Sequence, residues 1–133
     1  MTGDTLFVHD KENYSIGPHT DSPHRLITFL FYFPDNFDYS DMGTSLYKCK
    51  DPNFLCQGGP HYKFDNFTKI KTIDFFPNRL FCFIRTGRSF HGVECINGID
   101  IDRKLLIHNI RFDLTGSSPC NDPSVSAQVK LLI

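Results

Sequence analysis

The chain has 133 residues, a formal net charge of −1 and 40% hydrophobic residues, which predict a single domain, residues 1–133, with its own apolar core. The lack of a basic excess argues against binding to nucleic-acid phosphates. No stretch approaches the roughly 18 apolar residues of a membrane-spanning helix, and residues 1–13 lack the basic segment and apolar run of a signal peptide. These features predict a soluble, cytoplasmic protein with neither a nucleic-acid nor a membrane partner.

The first part of the chain is predicted to form strands, because short runs of β-branched and aromatic residues are interrupted by Gly, Pro, Asn and Asp. Four strands are predicted before residue 50, at 5–10, 14–19, 25–33 and 44–48. A polar, turn-like stretch at 11–13 joins the first two strands, and Pro34 ends the third. The second strand therefore ends at His19.

Residues 49–66 contain Gly, Pro and Asn without a clear period, which predicts a long loop of the kind that often covers a site. Four further strands are predicted at 69–75, 80–85, 89–94 and 103–112. Eight short strands without helical periodicity predict an all-β fold, a double-stranded β-helix (jelly roll, cupin-like) with few or no buttressing helices. Its core would span about 5–112, followed by an irregular tail at 113–133 to which we assign no role.

The five cysteines are odd in number and scattered, which argues against a secreted disulfide framework. A structural zinc site can be drawn with Cys49, Cys56 and His61, but the spacing fits no familiar zinc motif and a fourth ligand is missing. We therefore do not predict structural zinc.

The segment His19-Thr20-Asp21, followed much later by His91, carries the strongest chemical signal. Two imidazoles and one carboxylate can occupy one face of an octahedral iron and leave the opposite face open. A His and an Asp at i and i+2 suit a strand end, where both side chains can converge on one ion. His91 would have to arrive from another strand.

Five segments together resemble the iron(II)- and 2-oxoglutarate-dependent dioxygenases, in particular their prolyl-hydroxylase-like branch. They are YSIGPHTD at 14–21, LITFLFYF at 26–33, GTSL at 43–46, SFHGV at 89–93, and Arg103 at the start of the last strand. The resemblance implies that His19, Asp21 and His91 bind Fe(II). It also implies 2-oxoglutarate as cosubstrate and O2 as oxidant.

The same resemblance implies that Arg103 binds the distal carboxylate of 2-oxoglutarate. An arginine suits this role because its fork makes two parallel, charge-assisted hydrogen bonds to a carboxylate. Tyr32 matches a tyrosine that donates a hydrogen bond to that carboxylate in the family. Asn109 shares a strand face with Arg103 by alternation and is a further cofactor-binding residue on our prediction.

The implied reaction is hydroxylation of an unactivated C–H bond, with release of succinate and CO2. The loop sequences do not identify the substrate, since members of this family branch act on peptidyl proline, amino acids and other small molecules. Arg85 lies near His91 in the sequence, and Phe37 and Tyr39 lie in a polar loop. We take these three as substrate-contacting residues.

Other interpretations stay open. The chain lacks the helices that usually buttress the major sheet in this family, which predicts a truncated fragment, a minimal form, or a homodimer that covers the apolar face. A catalytically inactive, cupin-like module that binds a small ligand is the alternative function. A different metal-dependent cupin enzyme is a third, although Asp21 argues against it because such enzymes usually offer three or four histidines.

Overall fold

The computed structural model describes residues 1–11, 13–35, 40–95 and 103–112. These contain eight strands: β1 (Thr2–Asp10), β2 (Ile16–His19), β3 (Arg25–Tyr32), β4 (Ser45–Cys49), β5 (Phe67–Thr72), β6 (Leu80–Ile84), β7 (Phe90–Val93) and β8 (Arg103–Arg111). Two single-turn 3₁₀ helices cover Ser40–Met42 and Phe64–Asn66. No helix in the described ranges has the length and apolarity needed to cross a membrane.

The all-β prediction is confirmed. Each of the eight predicted strands is present, and the observed ends differ from the predicted ends by at most three residues. The predicted long loop, 49–66, begins with the last residue of β4, contains the second 3₁₀ helix and has no other regular element. Phe37, Tyr39 and the predicted tail at 113–133 lie outside the described residues.

The strands form two antiparallel four-stranded sheets. The first sheet has the order β1-β8-β3-β6, and the second sheet has the order β2-β7-β4-β5. Strand pairing occurs within each sheet and does not close the two sheets into one barrel. The chain thus passes repeatedly from one sheet to the other.

Alternation along β3 explains how the sheets enclose a core. Thr28, Leu30 and Tyr32 are buried, whereas the residues between them are partly exposed, as expected for a strand with one face toward the interior. One apolar cluster joins this face to neighbouring elements and comprises Leu30, Tyr32, Met42, Phe75 and Leu105. A second cluster comprises Tyr47, Cys56, Phe67 and Phe90.

The opposite face of the first sheet is also apolar. Its strand register aligns Phe7 with Leu106, Leu106 with Phe31, and Phe31 with Leu80. Phe7 and Leu80, at the two edges of this row, are at least half exposed. A homodimer through this face stays a prediction.

Candidate metal centre

Pairing between β2 and β7 brings the two predicted histidine ligands together. His19, the last residue of β2, lies directly opposite His91 of β7, and their ring centroids are 4.4 Å apart. Asp21 follows two residues after His19, where β2 has ended. One ligand atom from each of His19, Asp21 and His91 lies within 4.8 Å of the others. The sequence-predicted triad therefore converges.

Both imidazoles are oriented by the backbone. His19 Nδ1 lies 2.9 Å from the Gly17 carbonyl oxygen, and His91 Nδ1 lies 3.0 Å from the Ser89 carbonyl oxygen. Because a carbonyl oxygen only accepts, each Nδ1 carries the hydrogen, and each Nε2 keeps its lone pair. Metal-binding histidines are commonly held in this way, with the second nitrogen donating to a carbonyl or carboxylate.

Burial keeps both histidines in the form that binds metals. It lowers the pKa of His19 to about 4, with a further contribution from the neighbouring His91. Burial also lowers the pKa of His91, although the Asp21 carboxylate acts in the opposite direction. Neutral imidazole is the metal ligand, so neither side chain has to lose a proton before binding an ion at pH 7.

Two neighbours fix the Asp21 carboxylate, which is itself buried. The Thr28 hydroxyl donates to Oδ2 at 2.5 Å, and Arg25 Nη1 donates to Oδ1 at 3.0 Å. Oδ1 lies 3.7 Å from His91 Nε2. Each carboxylate oxygen is thus held by a different donor.

This donor set fits a divalent transition-metal ion. It offers two imidazole nitrogens with their lone pairs available and one oriented carboxylate, the set typical of non-haem Fe(II) oxygenases. Among the described His, Cys, Asp and Glu residues, the triad is the group that converges closely enough to hold an ion. The zinc arrangement of Cys49, Cys56 and His61 is accordingly not formed.

A cavity of about 160 Å³ adjoins the triad. Its volume lies below the range of about 300–1,000 Å³ that drug-sized ligands occupy, so it suits a small metabolite. Asp10, Tyr14 and Arg103 line it together with the triad, and Val8, Leu30 and Leu105 contribute apolar surface. The cavity thus combines a metal-binding group, charged groups and an apolar wall.

Arg103 reaches this cavity from the start of β8, but its guanidinium is engaged. Nη1 donates to Asp10 Oδ2 in a close buried ion pair, and Nε donates to the Met42 carbonyl oxygen at 2.7 Å. The guanidinium carbon also lies 5.3 Å from the centre of the Phe75 ring. Sequence reasoning missed Asp10. Asp10 could have been identified because it ends the first predicted strand and, by alternation, lies on the same face as Val8.

Tyr32 and Asn109 do not line the cavity but contact two residues that do, Thr44 and Thr28. The Tyr32 hydroxyl donates to Thr44 Oγ1 at 2.9 Å and accepts from the Thr44 backbone N–H at 3.2 Å. Asn109 Oδ1 lies 3.2 Å from Thr28 Oγ1, and Asn109 Nδ2 donates to Asp4 Oδ2 at 3.3 Å. Their roles toward a cosubstrate stay predictions.

Arg85 supports the backbone that follows β2. Its Nε donates to the Asp21 carbonyl oxygen at 3.2 Å, and its Nη2 donates to the Cys56 carbonyl oxygen at 3.4 Å. Arg85 thereby ties the segment that carries Asp21 to the long loop. The substrate roles of Arg85, Phe37 and Tyr39 stay predictions.

The long loop packs beside the metal centre. The Tyr62 backbone N–H donates to the Pro18 carbonyl oxygen at 2.9 Å, and the exposed ring of His61 lies 4.6 Å from the ring of His19. The prediction that this loop covers a site stays a prediction.

Thr28 is a further residue that sequence reasoning did not assign to the site. Replacing Thr28 by valine removes the hydroxyl that holds Asp21 while keeping the shape of the side chain. We expect the affinity for Fe(II) to fall about 10–100-fold, the usual effect of losing a group that orients a metal ligand. Anaerobic isothermal titration calorimetry of the folded variant measures it.

Two variants control this experiment. Thr28→Ser keeps a hydroxyl and should bind Fe(II) within a few-fold of the wild type. Thr68→Val makes the same substitution at an exposed position of β5 and should leave the affinity unchanged. A folded Thr28→Val variant with wild-type affinity would contradict the orienting role of Thr28.

Comparisons with known proteins give no match to a family model, a curated protein or a solved structure.

Proposed function

We propose that this protein is an Fe(II)- and 2-oxoglutarate-dependent oxygenase that hydroxylates an unactivated C–H bond in a small molecule, an amino acid or a peptidyl proline. The observation that carries the proposal is the convergence of His19, Asp21 and His91 beside a cavity that Arg103 also lines. A metal-binding face and a carboxylate-binding side chain are the two parts that such a reaction requires of the protein.

The strand connectivity supports a double-stranded β-helix as the scaffold. The pairs β1·β8, β2·β7, β3·β6 and β4·β5 are those of one long hairpin wound between two sheets. Jelly rolls are eight-stranded, double-sheet structures of this kind. Wound in this way, the chain places the end of β2 beside β7, where the triad lies.

The proposed mechanism separates the role of the bound groups from that of the chain. When bound, Fe(II) and 2-oxoglutarate would supply the activation of O2, which is the oxidant, with 2-oxoglutarate giving two electrons and leaving as succinate and CO2. His19, Asp21 and His91 would hold the iron. Thr28 and Arg25 keep the Asp21 carboxylate in one orientation. We assign no protein general base.

Arg103 would bind the distal carboxylate of the cosubstrate, and the apolar lining would exclude water. Arg103 is buried, so a carboxylate that reaches it leaves bulk water and gains charge-assisted hydrogen bonds. Val8, Leu30 and Leu105 offer no competing polar group along the cavity. Together these residues would fix the angle of a small dicarboxylate and keep solvent from the reacting bond.

One observation favours a second function, a cupin-like module that binds a small ligand without catalysis. Asp10 already pairs with Arg103, so the guanidinium that a cosubstrate needs has a protein partner. Such a module would show no dependence on iron.

An anaerobic titration tests the proposal. Fe(II) and then 2-oxoglutarate are added to the purified protein, and the visible metal-to-ligand charge-transfer band of a chelated cosubstrate is measured. We expect the band to form and, after O2 is admitted, succinate to be produced. A protein that stays folded by circular dichroism but gives no band would exclude the oxygenase function and favour the binding module.

A further inference from the structure

The ion pair between Asp10 and Arg103 has an unusual position for a site that would bind a dicarboxylate. Asp10 ends β1 and Arg103 begins β8, and the two residues are direct partners across the strands. They are 6% and 3% exposed, respectively, and both line the cavity beside the metal triad. The positive group available to a distal carboxylate is therefore already paired with a negative group.

The charged groups of the cavity wall balance one another and leave little net attraction for the distal carboxylate of a ligand. The wall carries two carboxylates, Asp10 and Asp21, and two guanidiniums, Arg25 and Arg103. The formal charge of these groups is zero. A divalent ion at the triad would attract the 2-oxo acid end of a ligand and leave the distal end facing the Asp10–Arg103 pair.

We propose that Asp10 is an internal competitor for Arg103 and thereby sets the affinity and selectivity of the cavity for its 2-oxo acid. This inference rests on the proposed function. A distal carboxylate has to share the guanidinium with the Asp10 carboxylate, and the two like charges repel each other. Asp10 is thus a specificity-determining residue that weakens the binding of a dianion.

An uncharged distal group meets a different environment. An amide can accept a hydrogen bond from Arg103 through its oxygen and donate one to Asp10 through its nitrogen, so it can use both members of the pair. An arginine without an acidic partner would strongly favour the carboxylate, because charge-assisted hydrogen bonds are about twice as strong as neutral ones. The selectivity between carboxylate and amide therefore reports whether Asp10 competes.

The first experiment compares two ligands on the wild-type protein. Anaerobic Fe(II)-loaded protein is titrated with 2-oxoglutarate and with 2-oxoglutaramate, in which an amide replaces the distal carboxylate, and the charge-transfer band gives each dissociation constant. We expect the two constants to agree within about tenfold, which is about 1.4 kcal/mol. Binding of 2-oxoglutarate at least about 100-fold tighter than the amide would overturn the inference.

The second experiment removes the competitor. The Asp10→Asn variant should bind 2-oxoglutarate at least about tenfold tighter than the wild type, while 2-oxoglutaramate binding changes much less. The control is Asp74→Asn, which alters the partly exposed ion pair at 3.0 Å between Asp74 and Arg79, outside the cavity lining. The control should bind both ligands like the wild type.

The role of Asp10 can be tested even if the Asp10→Asn variant does not fold. Removing one partner of a buried ion pair can strongly destabilise the folded protein. The thermal unfolding of Asp10→Asn is therefore measured first. If that variant does not fold, the selectivity of the wild-type protein decides alone. A folded variant that binds 2-oxoglutarate no tighter than the wild type overturns the inference.

The failures of the two proposals are distinguishable. If neither 2-oxo acid gives a charge-transfer band or a calorimetric binding signal, the proposed oxygenase function fails, and the role of Asp10 fails with it. If a band forms and 2-oxoglutarate is strongly preferred by the wild type, the oxygenase function stands and the role of Asp10 is wrong.

Discussion

Replacing His91 by alanine is expected to abolish high-affinity Fe(II) binding, with a loss of at least about 100-fold. Loss of a group that merely orients a metal ligand commonly costs 10–100-fold, and His91 is one of only three donors that converge at this site in the described residues. His91 is also buried, with its Nδ1 bound to the Ser89 carbonyl oxygen. The exposed His61 imidazole, whose ring lies 4.6 Å from the His19 ring, does not belong to the converging group.

Calorimetry with anaerobic Fe(II) measures this loss, and circular dichroism verifies that the variant is folded. The matched control is His24→Ala, which removes an imidazole at an exposed position that does not line the cavity. The control should bind Fe(II) like the wild type. Wild-type affinity in a folded His91→Ala variant would show that the triad is not the metal site.

Replacing Gly43 by alanine is expected to lower the free energy of unfolding by about 3 kcal/mol or more. A Cβ at position 43 would lie 1.5 Å from the Ile73 carbonyl oxygen. Because both atoms belong to the backbone or are fixed to it, a change of side-chain rotamer cannot relieve the overlap. The two backbone segments that contain Gly43 and Ile73 would have to move apart.

The same displacement would reach the cavity. Met42, on one side of Gly43, accepts a hydrogen bond from Arg103, and Thr44, on the other side, contacts the Tyr32 hydroxyl. A variant that still folds should therefore also bind 2-oxoglutarate more weakly than the wild type. Urea denaturation measures the stability, and the charge-transfer titration measures the binding.

Gly87→Ala is the control for this prediction. A Cβ at position 87 would lie 3.4 Å from the Cys56 carbonyl oxygen, an ordinary van der Waals distance. We expect its free energy of unfolding to stay within about 1 kcal/mol of the wild type. Equal stability of the Gly43→Ala and Gly87→Ala variants would mean that the chain accommodates a methyl group at position 43.

The strands and the triad could be predicted from the sequence because their signals are local. Alternation of apolar side chains marks a strand with one buried face, and Gly, Pro, Asn and Asp mark where strands end. When a His and an Asp lie two residues apart at such a strand end, their side chains point to the same face. His91 could be added because it lies in a predicted strand within a segment that resembles the same family.

Local sequence signals thus predict the all-β class, the approximate strand ends and the three residues that converge at the candidate metal centre. The partners of the charged and polar groups were decided only by the tertiary structure. Asp10 meets Arg103 because β1 and β8 pair in one particular register, although 93 positions separate the two residues. Register depends on how entire faces pack and on the turns between strands, so neither strand alone specifies which side chain lies opposite which.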